Sequence, residues 1–457
     1  MRLKGFTALC ILLSVITISA TAQEISERKE IAVFRLSYYD YTIPNSALGS
    51  IDEEMKSVFI NLGRFDILGM NLRLADADVY SFIDRLKEYK EENVEIPEQF
   101  KVGQAVFTEN DMNQLIGSFY VVIPAVTFFD VARKETKLTG GGTKVTWSAE
   151  IKTSFSFVDV AEAKTFAQFF VETSGSSNET EDRAVQAAID AIPVQLEYEI
   201  TKIPVFTLKT GVLERRGREV VLQLGRNMGI RKGYEFTIVD TRILESGRQF
   251  ESEGGLLLVK EVGEDISIAT ILIGSPGEGD QLKEIPRLGF EATVYADVLF
   301  NPLQPVTLGS VFSVVGFRVN GSKGFYDFKP IVGLEAPLPF GPDGTLLPWM
   351  WVIGLPFNVY AGSEWNLYLG RLQLTPQAAF GTGFLIPWLI ETEKPFLSHV
   401  GGFVDVTVSY LINPNLKASA SAGFKYWIGV YDALAVQFGA KTSYGGAYLS
   451  GGITYKL

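Results

Sequence analysis

Apolar and polar residues alternate one by one through the last third of this chain. Between 415 and 429, Leu416, Ala418, Ala420, Ala422, Phe424, Tyr426 and Ile428 form one series. Asn415, Lys417, Ser419, Ser421, Gly423, Lys425, Trp427 and Gly429 form the other. Successive side chains of a strand point to opposite faces, so this period of two predicts a strand with one apolar face. The run is longer than the usual strand of about 5–6 residues. It suits a membrane strand of about 9–11 residues, with one face to lipid and one to a lumen. The pattern recurs in Phe290, Ala292, Val294, Ala296, Val298 and Phe300, in Val404, Val406, Val408, Tyr410 and Ile412, and in Leu449, Ile453, Tyr455 and Leu457. About eight such runs fit into residues 286–457, the smallest number usual for a membrane barrel. The run from Trp365 to Ile386 changes phase near Gly370, which predicts a bulge.

The preceding residues follow other periods. Ile31 to Leu36 predicts a short buried strand. Ser50 and Glu53 have the spacing of a capping box, before a helical face of Ile51, Met55, Val58, Phe59 and Leu62. A strand then begins at Arg64, and a charged helix is expected over 72–89. Long strands are expected over 118–131 and 144–160, with Thr139 to Thr143 as the hairpin between them. That glycine-rich stretch lacks the Lys-Ser/Thr ending and following helix of a phosphate loop. A strand over 165–173 and one helix over 182–200 complete this part. Residues 205–285 are strand-rich, with Gly225, Gly229, Gly233 and Gly279 as turn residues.

Composition divides the chain at the same place. Residues 288–457 hold 10 acidic and 9 basic residues, five of the six tryptophans and 22 of the 44 glycines. Residues 23–287 hold 43 acidic and 30 basic residues, the charge density of a water-soluble part. Their acidity argues against nucleic acid, which needs a basic footprint. Residues 1–22 fit a signal peptide: Arg2 and Lys4, an apolar core from Phe6 to Ile18, then Ala20 to Ala22 as a small-residue cleavage site. Cys10, the single cysteine, lies in that core, so the mature chain is expected to lack disulfides and thiolate sites.

The chain is therefore expected to be multidomain. Residues 23–204 form an α/β (α+β) periplasmic domain, 205–285 a small β domain, and 286–457 an antiparallel transmembrane β-barrel of the outer membrane. Several residues carry a resemblance. Ile31 to Leu36, the helix ending at Leu62 to Phe65, the strand ending at Val158 to Val160 and the closing helix resemble the periplasmic domain shared by CsgG, FlgT and the start of TolB. An alanine stands at 161, where that domain usually has glycine, and the acidic stretch 88–98 is an insertion. Gly225, Gly229, Gly233, Ser267, Gly279 and Asp280 resemble the SH3-like C-terminal domain of FlgT-type proteins. In that family such domains bind partners and do no chemistry, so the resemblance implies a scaffold.

Candidate chemistry is sparse. His399, the single histidine, is expected in a loop between barrel strands, and no partner residues at catalytic or metal-ligand spacing accompany it. Asp52 to Glu54 belongs to a helix start, and Glu251 and Glu253 to a polar loop. No catalytic, cofactor or metal site is expected. The alternation instead points Glu291, Asp297, Asp405, Lys417, Lys425 and Lys456 into the barrel lumen. Trp349, Trp351, Trp365, Trp388, Trp427 and Tyr455 are candidate membrane-interface aromatics. Tyr455 to Leu457 resembles the terminal signal read by the outer-membrane insertion machinery. The expected partners are the outer-membrane bilayer, that machinery and a periplasmic protein. The leading expectation is a barrel-anchored periplasmic scaffold for envelope, secretion or flagellar components. A narrow channel with a regulatory periplasmic part is the alternative, favoured if the lumen charges are unpaired. A surface adhesin would rest on the loops 340–348 and 387–395, which are short and apolar.

Overall fold

A computed structural model describes residues 24–38, 43–91, 96–118, 120–137, 142–300, 311–338, 355–386, 396–430 and 443–457. The signal peptide with Cys10, the glycine loop 139–141, the loops 340–348 and 387–395, and Trp349, Trp351 and Trp388 lie outside the described residues.

The front part is built on a mixed sheet. Its strands are β1 (Lys29–Arg35), β2 (Ser37–Tyr38), β3 (Phe65–Arg73), β6 (Tyr120–Lys137), β7 (Thr143–Asp159) and β8 (Lys164–Ser177), and β4 (Gln99–Val102) pairs with β5 (Ala105–Thr108) in a separate hairpin. The sheet order is β3-β1-β6-β7-β8, with β2 beside β6; β1 runs parallel to β3 and β6, β2 runs parallel to β6, and β6-β7-β8 is antiparallel. Both faces are covered, so β1 is apolar throughout rather than alternating. Ile31 and Val33 enter one core, with helices Asn45–Asn61, Glu181–Asp190 and Ile192–Lys202. Ala32 and Phe34 enter the other, with helices Val79–Glu91 and Glu109–Gly117.

Several expected boundaries move. The first helix begins at Asn45 with Pro44 before it, so Ser50 and Glu53 are helix-interior residues and form no capping box. Asp52 instead turns its carboxylate to the Leu36 N–H (2.9 Å) and to Lys56 (2.8 Å). Strand β3 continues to Arg73, and the next helix starts only at Val79. The expected helix over 182–200 is two helices broken at Ala191, because Pro193 opens the second and cannot donate to the first. The capping box of this domain is at Thr108 and Asp111, starting the helix Glu109–Gly117.

Residues 209–285 form a small closed barrel. Its strands are β9 (Lys209–Arg216), β10 (Glu219–Leu222), β11 (Glu235–Ile243), β12 (Gln249–Val262), β13 (Ser267–Ile273) and β14 (Gln281–Ile285), closed in the order β10-β13-β12-β11-β14-β9. Leu222, Phe236, Leu257, Val259 and Leu282 fill it.

The last part is a closed antiparallel barrel of eight long strands: β15 (Phe290–Phe300), β16 (Val311–Gly321), β17 (Phe328–Pro337), β18 (Leu355–Trp365), β20 (Leu372–Ile386), β21 (Phe396–Asn413), β22 (Leu416–Gly429) and β23 (Tyr444–Lys456). Neighbours in this order pair, and β15 pairs with β23 to close the ring. A short piece, β19 (Leu367–Leu369), extends the hairpin into β20. The phase change near Gly370 is therefore a turn and not a bulge, with Gly370 at φ +70°. At the end that carries the soluble domains the connections are short, 322–327, 370–371 and 414–415. At the other end they span 301–310, 338–354, 387–395 and 430–443.

Candidate functional site

The eight-stranded barrel is built inside out compared with a soluble core. Val294, Phe317, Val332, Leu334, Phe380, Val404, Val406, Val408, Phe424 and Leu449 lie exposed on its outer wall. Its inside is charged and buried. All six candidate lumen residues, Glu291, Asp297, Asp405, Lys417, Lys425 and Lys456, are among the buried polar side chains.

Five of them form ion pairs, in layers, and Asp405 is held by hydrogen bonds. In the deeper layer, Lys425 Nζ reaches Asp297 Oδ2 at 2.5 Å and Glu335 Oε2 at 2.6 Å. Glu335 also accepts from Trp427 Nε1 (2.8 Å), Asn358 Nδ2 (3.2 Å) and the Tyr295 hydroxyl (3.2 Å). The lysine ammonium stands 4.6 Å from the Tyr448 ring centre, a distance that suits a cation–π contact. Beside it, Asp405 accepts from Gln377 (2.6 Å), Thr407 (3.1 Å) and the Tyr448 hydroxyl. Arg318 closes this group by donating to Gln377 Oε1 at 2.5 Å.

Nearer the soluble domains, Glu291 takes Lys329 at 3.0 Å on one oxygen and Lys417 at 2.6 Å on the other. Lys417 donates onward to Gln373 (3.1 Å), and Gln373, Asn366, Glu364 and Asn320 continue the chain of bonds. Inside a low-dielectric barrel an unpaired charge is costly, and these bonds offset that cost, although Asp297 Oδ1, Arg318 Nε, Asn320 Oδ1 and Asn358 Oδ1 have no partner among the described residues. Counting the described buried groups of the strands, Glu291, Asp297, Glu335, Glu364 and Asp405 balance Arg318, Lys329, Lys417, Lys425 and Lys456.

The small barrel stands on the mouth of the large one. Leu256, Leu258 and Leu272 turn outward from it and pack with Tyr326 and Leu411. Glu235, also from its outer face, receives Lys456 and Arg287, the latter at 2.9 Å. Arg287 donates further to the carbonyls of Lys456 (3.2 Å) and Pro414 (2.9 Å). Burial works against the Glu235 carboxylate, but Lys456 and then Arg287 outweigh it and hold its pKa below the ordinary carboxylate value. Among the described residues, spaces lie along this path of about 10 Å³ beside Glu235, Glu291 and Lys417 and about 20 Å³ beside Asp297, Arg318 and Asp405. A water needs roughly 10–15 Å³ of such volume, so each has room for about one.

The front domain locks to the small barrel by a buried bidentate pair. Arg64 meets Glu284 at 2.7 and 3.1 Å and donates to the Phe206 carbonyl. Burial lowers the pKa of the Arg64 guanidinium, but Glu284 overrides this and raises it. Two glycines bring backbones together. A Cβ on Gly229 (φ +76°) would sit 1.8 Å from the Leu62 carbonyl oxygen, and one on Gly233 (φ +80°) would sit 2.1 Å from that of Ser322. The first contact joins the small barrel to the front domain and the second joins it to the large barrel.

Two expectations are corrected here. Trp427 is not an interface aromatic. It is fully buried in the lumen, on the face it shares with Lys417 and Lys425. His399 is not in a loop. It lies in β21, buried, with its Nδ1 2.7 Å from the Ser398 hydroxyl. Trp365 and Tyr455 stand on the outer wall at the rim beside the front domains, Trp365 paired with Phe328 and Tyr455 with Ala292. Glu335, Arg318, Lys329 and Glu364 were absent from the expected lumen set. Their signal was local: Arg318 sits between Phe317 and Val319, and Glu335 between Leu334 and Ala336. Among the described residues no group of His, Cys, Asp and Glu is placed to hold a metal ion, and no helix is long and apolar enough to cross a membrane.

No protein-family model matches the chain, and no curated protein matches its sequence. Among solved structures it is similar to neisserial surface protein A, at 15% identity over 37% of this chain and 97% of that one, with a TM-score of 0.26. It is also similar to the Yersinia pestis outer membrane protein Ail in a phospholipid bilayer nanodisc, at 14% identity over 37% of this chain and 99% of that one, TM-score 0.22. A third is the PelC dodecamer from Paraburkholderia phytofirmans, at 12% identity over 37% of this chain and 90% of that one, TM-score 0.21. Similarities this low decide nothing about the role of the chain, which has to follow from its own walls and interior.

Proposed function

We propose that this chain is an outer-membrane protein whose filled barrel anchors two periplasmic domains, and that those domains bind a protein of the envelope, of a secretion system or of the flagellum without doing chemistry. The observation that carries the anchor is the lumen. Lys329, Lys417 and Lys425 pair with Glu291, Asp297 and Glu335, hydrogen bonds tie Arg318, Asp405 and Glu364 to Gln377 and Asn320, the mouth is covered by Leu256, Leu258 and Glu235 of the small barrel, and the spaces among these described residues are of single-water size. An eight-stranded barrel is only just wide enough to be filled by side chains. The apolar outer wall supports a lipid surrounding. The orientation is supported by the connections, since membrane barrels keep short turns on the periplasmic side and long loops outside. Here the soluble domains share the end with the short turns. The partner-binding role is drawn from the resemblance of the front parts to CsgG, FlgT and TolB domains, and from a β6–β7 ribbon that runs past the end of β8.

The test is conductance of the full chain in a planar bilayer, together with protease treatment of intact cells. Silence in the bilayer and protection of residues 23–285 until the outer membrane is broken are the expected results. Steady ion-selective steps would replace the anchor with a gated channel, and digestion on intact cells would overturn the periplasmic placement.

A further inference from the structure

On the outer wall of the large barrel, at the end that carries the soluble domains, a groove of about 390 Å³ opens where three parts of the chain meet. One side is the barrel wall: Phe290 of β15, Val319 of β16 and Val332 of β17. The facing side includes Val194 of helix Ile192–Lys202, which leaves its side chain 39% exposed. An exposed valine of a soluble domain, set against a wall that faces lipid, has no use for water on that side. The rim is charged. Lys323, from the turn between β16 and β17, lies 2.8 Å from Glu197, and Arg231 of the small barrel lies 4.0 Å from the same carboxylate. Arg231 also donates to the Asn61 carbonyl at 2.9 Å. Two cations and one carboxylate leave one net positive charge at the rim. Both cations have N–H donors to spare, since an ammonium carries three and a guanidinium five.

We infer that this groove binds one glycerophospholipid of the leaflet facing the soluble domains. Its phosphate would meet Arg231 and Lys323, and its acyl chains would lie along Phe290, Val319 and Val332. The inference rests on the outer-membrane reading. A free inorganic anion would satisfy the rim but leave the apolar wall wet. A bare hydrocarbon would cover the wall but leave the cations without an anion. A phospholipid supplies both at the depth where the wall meets the rim, and Glu197 tolerates a headgroup that brings its own ammonium.

Native mass spectrometry of the full chain released from detergent tests it, with phosphatidylethanolamine, phosphatidylglycerol or diacylglycerol of the same chains added. One phospholipid should stay bound per chain, at least tenfold more strongly than diacylglycerol. R231Q/K323Q should weaken it at least tenfold by removing the phosphate contacts, and V332W should do so by filling the groove with the charges intact. Equal lipid retention in both variants, each shown to be folded by its mobility on an unheated gel, would overturn the site. Equal retention of diacylglycerol by the wild type would do the same. Flotation of the wild type with vesicles separates the two ideas. A chain that fails to float removes the membrane reading itself, whereas one that floats but shows no variant effect removes only the lipid site.

Discussion

Lys425→Met is the most informative single change in the barrel. The ammonium it removes touches two carboxylates, Asp297 at 2.5 Å and Glu335 at 2.6 Å, and all three side chains are at most 1% exposed. Methionine keeps the length and the apolar stem, so the change is mainly one of charge. Removing one member of a buried ion pair costs about 3–5 kcal/mol, because the other charge stays buried without compensation. Two carboxylates are stranded here, which points to the upper part of that range. Glu335 is cushioned by its bonds from Trp427, Asn358 and Tyr295. Most of the loss should therefore fall on Asp297, and K425M/D297N should recover more than half of it. At about 1.4 kcal/mol per factor of ten, a loss of 4 kcal/mol shifts the folded-to-unfolded ratio roughly a thousandfold. The assay is urea titration of the protein in lipid vesicles, with the folded fraction read from mobility on unheated gels. A loss below about 1 kcal/mol, the value of a solvated pair, would refute the reasoning. It would mean that water reaches these groups and that the lumen is open.

The remaining predictions concern the junctions and one lumen aromatic. The folded-state pKa of Glu235 is depressed, so its contribution is complete above the ordinary carboxylate value of about 4.3 and is lost as pH falls through the folded value. Acidification from about pH 5 to 3 should therefore loosen the small barrel on the mouth in the wild type and much less in E235Q; hydrogen exchange at Leu256 to Leu258 reads this, and equal pH slopes would sink the idea. R64A strands the buried Glu284 and should cost about 3–5 kcal/mol of front-domain stability while leaving barrel mobility on gels unchanged. G229A forces a Cβ onto the Leu62 carbonyl oxygen at a positive φ, and should raise protease cleavage between the front domain and the small barrel without unfolding either. W427F removes one donor from the charged Glu335 and should cost about 1.5–3 kcal/mol in the same urea assay, where a loss near zero would place the ring outside the network.

How far the fold was legible follows from the reach of each signal. Alternation is local, so the strands of the barrel and the inward side of Lys417, Lys425 and Asp405 could be read from residues two apart. It should also have placed Trp427 inside, because that residue shares a phase with Lys425. The period outweighs the general enrichment of tryptophan at membrane interfaces here. The central strands were harder. In β17, Lys329, Ile331 and Glu335 all face inward, and a buried isoleucine among charges blurs the pattern. Nothing about a single histidine marks His399 as a strand residue. The pairing of Lys456 with Glu235, or of Arg64 with Glu284, joins residues more than two hundred positions apart, and no spacing along the chain announces either. In the front domain, the broken helix at Ala191 was written in Pro193, whereas the early start at Asn45 was not, because Pro44 offers no side-chain cap.

The two glycine contacts of the small barrel have a mechanical consequence. Backbone resting on backbone at Gly63/Gly229 and at Gly233/Ser322 leaves no side chain to bend, so the junctions behave as welds and not as hinges. Beyond the last pairing of β7 with β8, at Trp147 and Ser177, β6 and β7 run on as a two-stranded ribbon from Lys134 and Thr146 to Lys137 and Thr143. At about 3.4 Å per residue that ribbon reaches roughly 14 Å. On the outer-membrane reading, a short arm on a welded base is held at a fixed height above the membrane surface. The chain would then act as a gauge, setting the distance at which anything gripped by that arm is kept from the outer membrane.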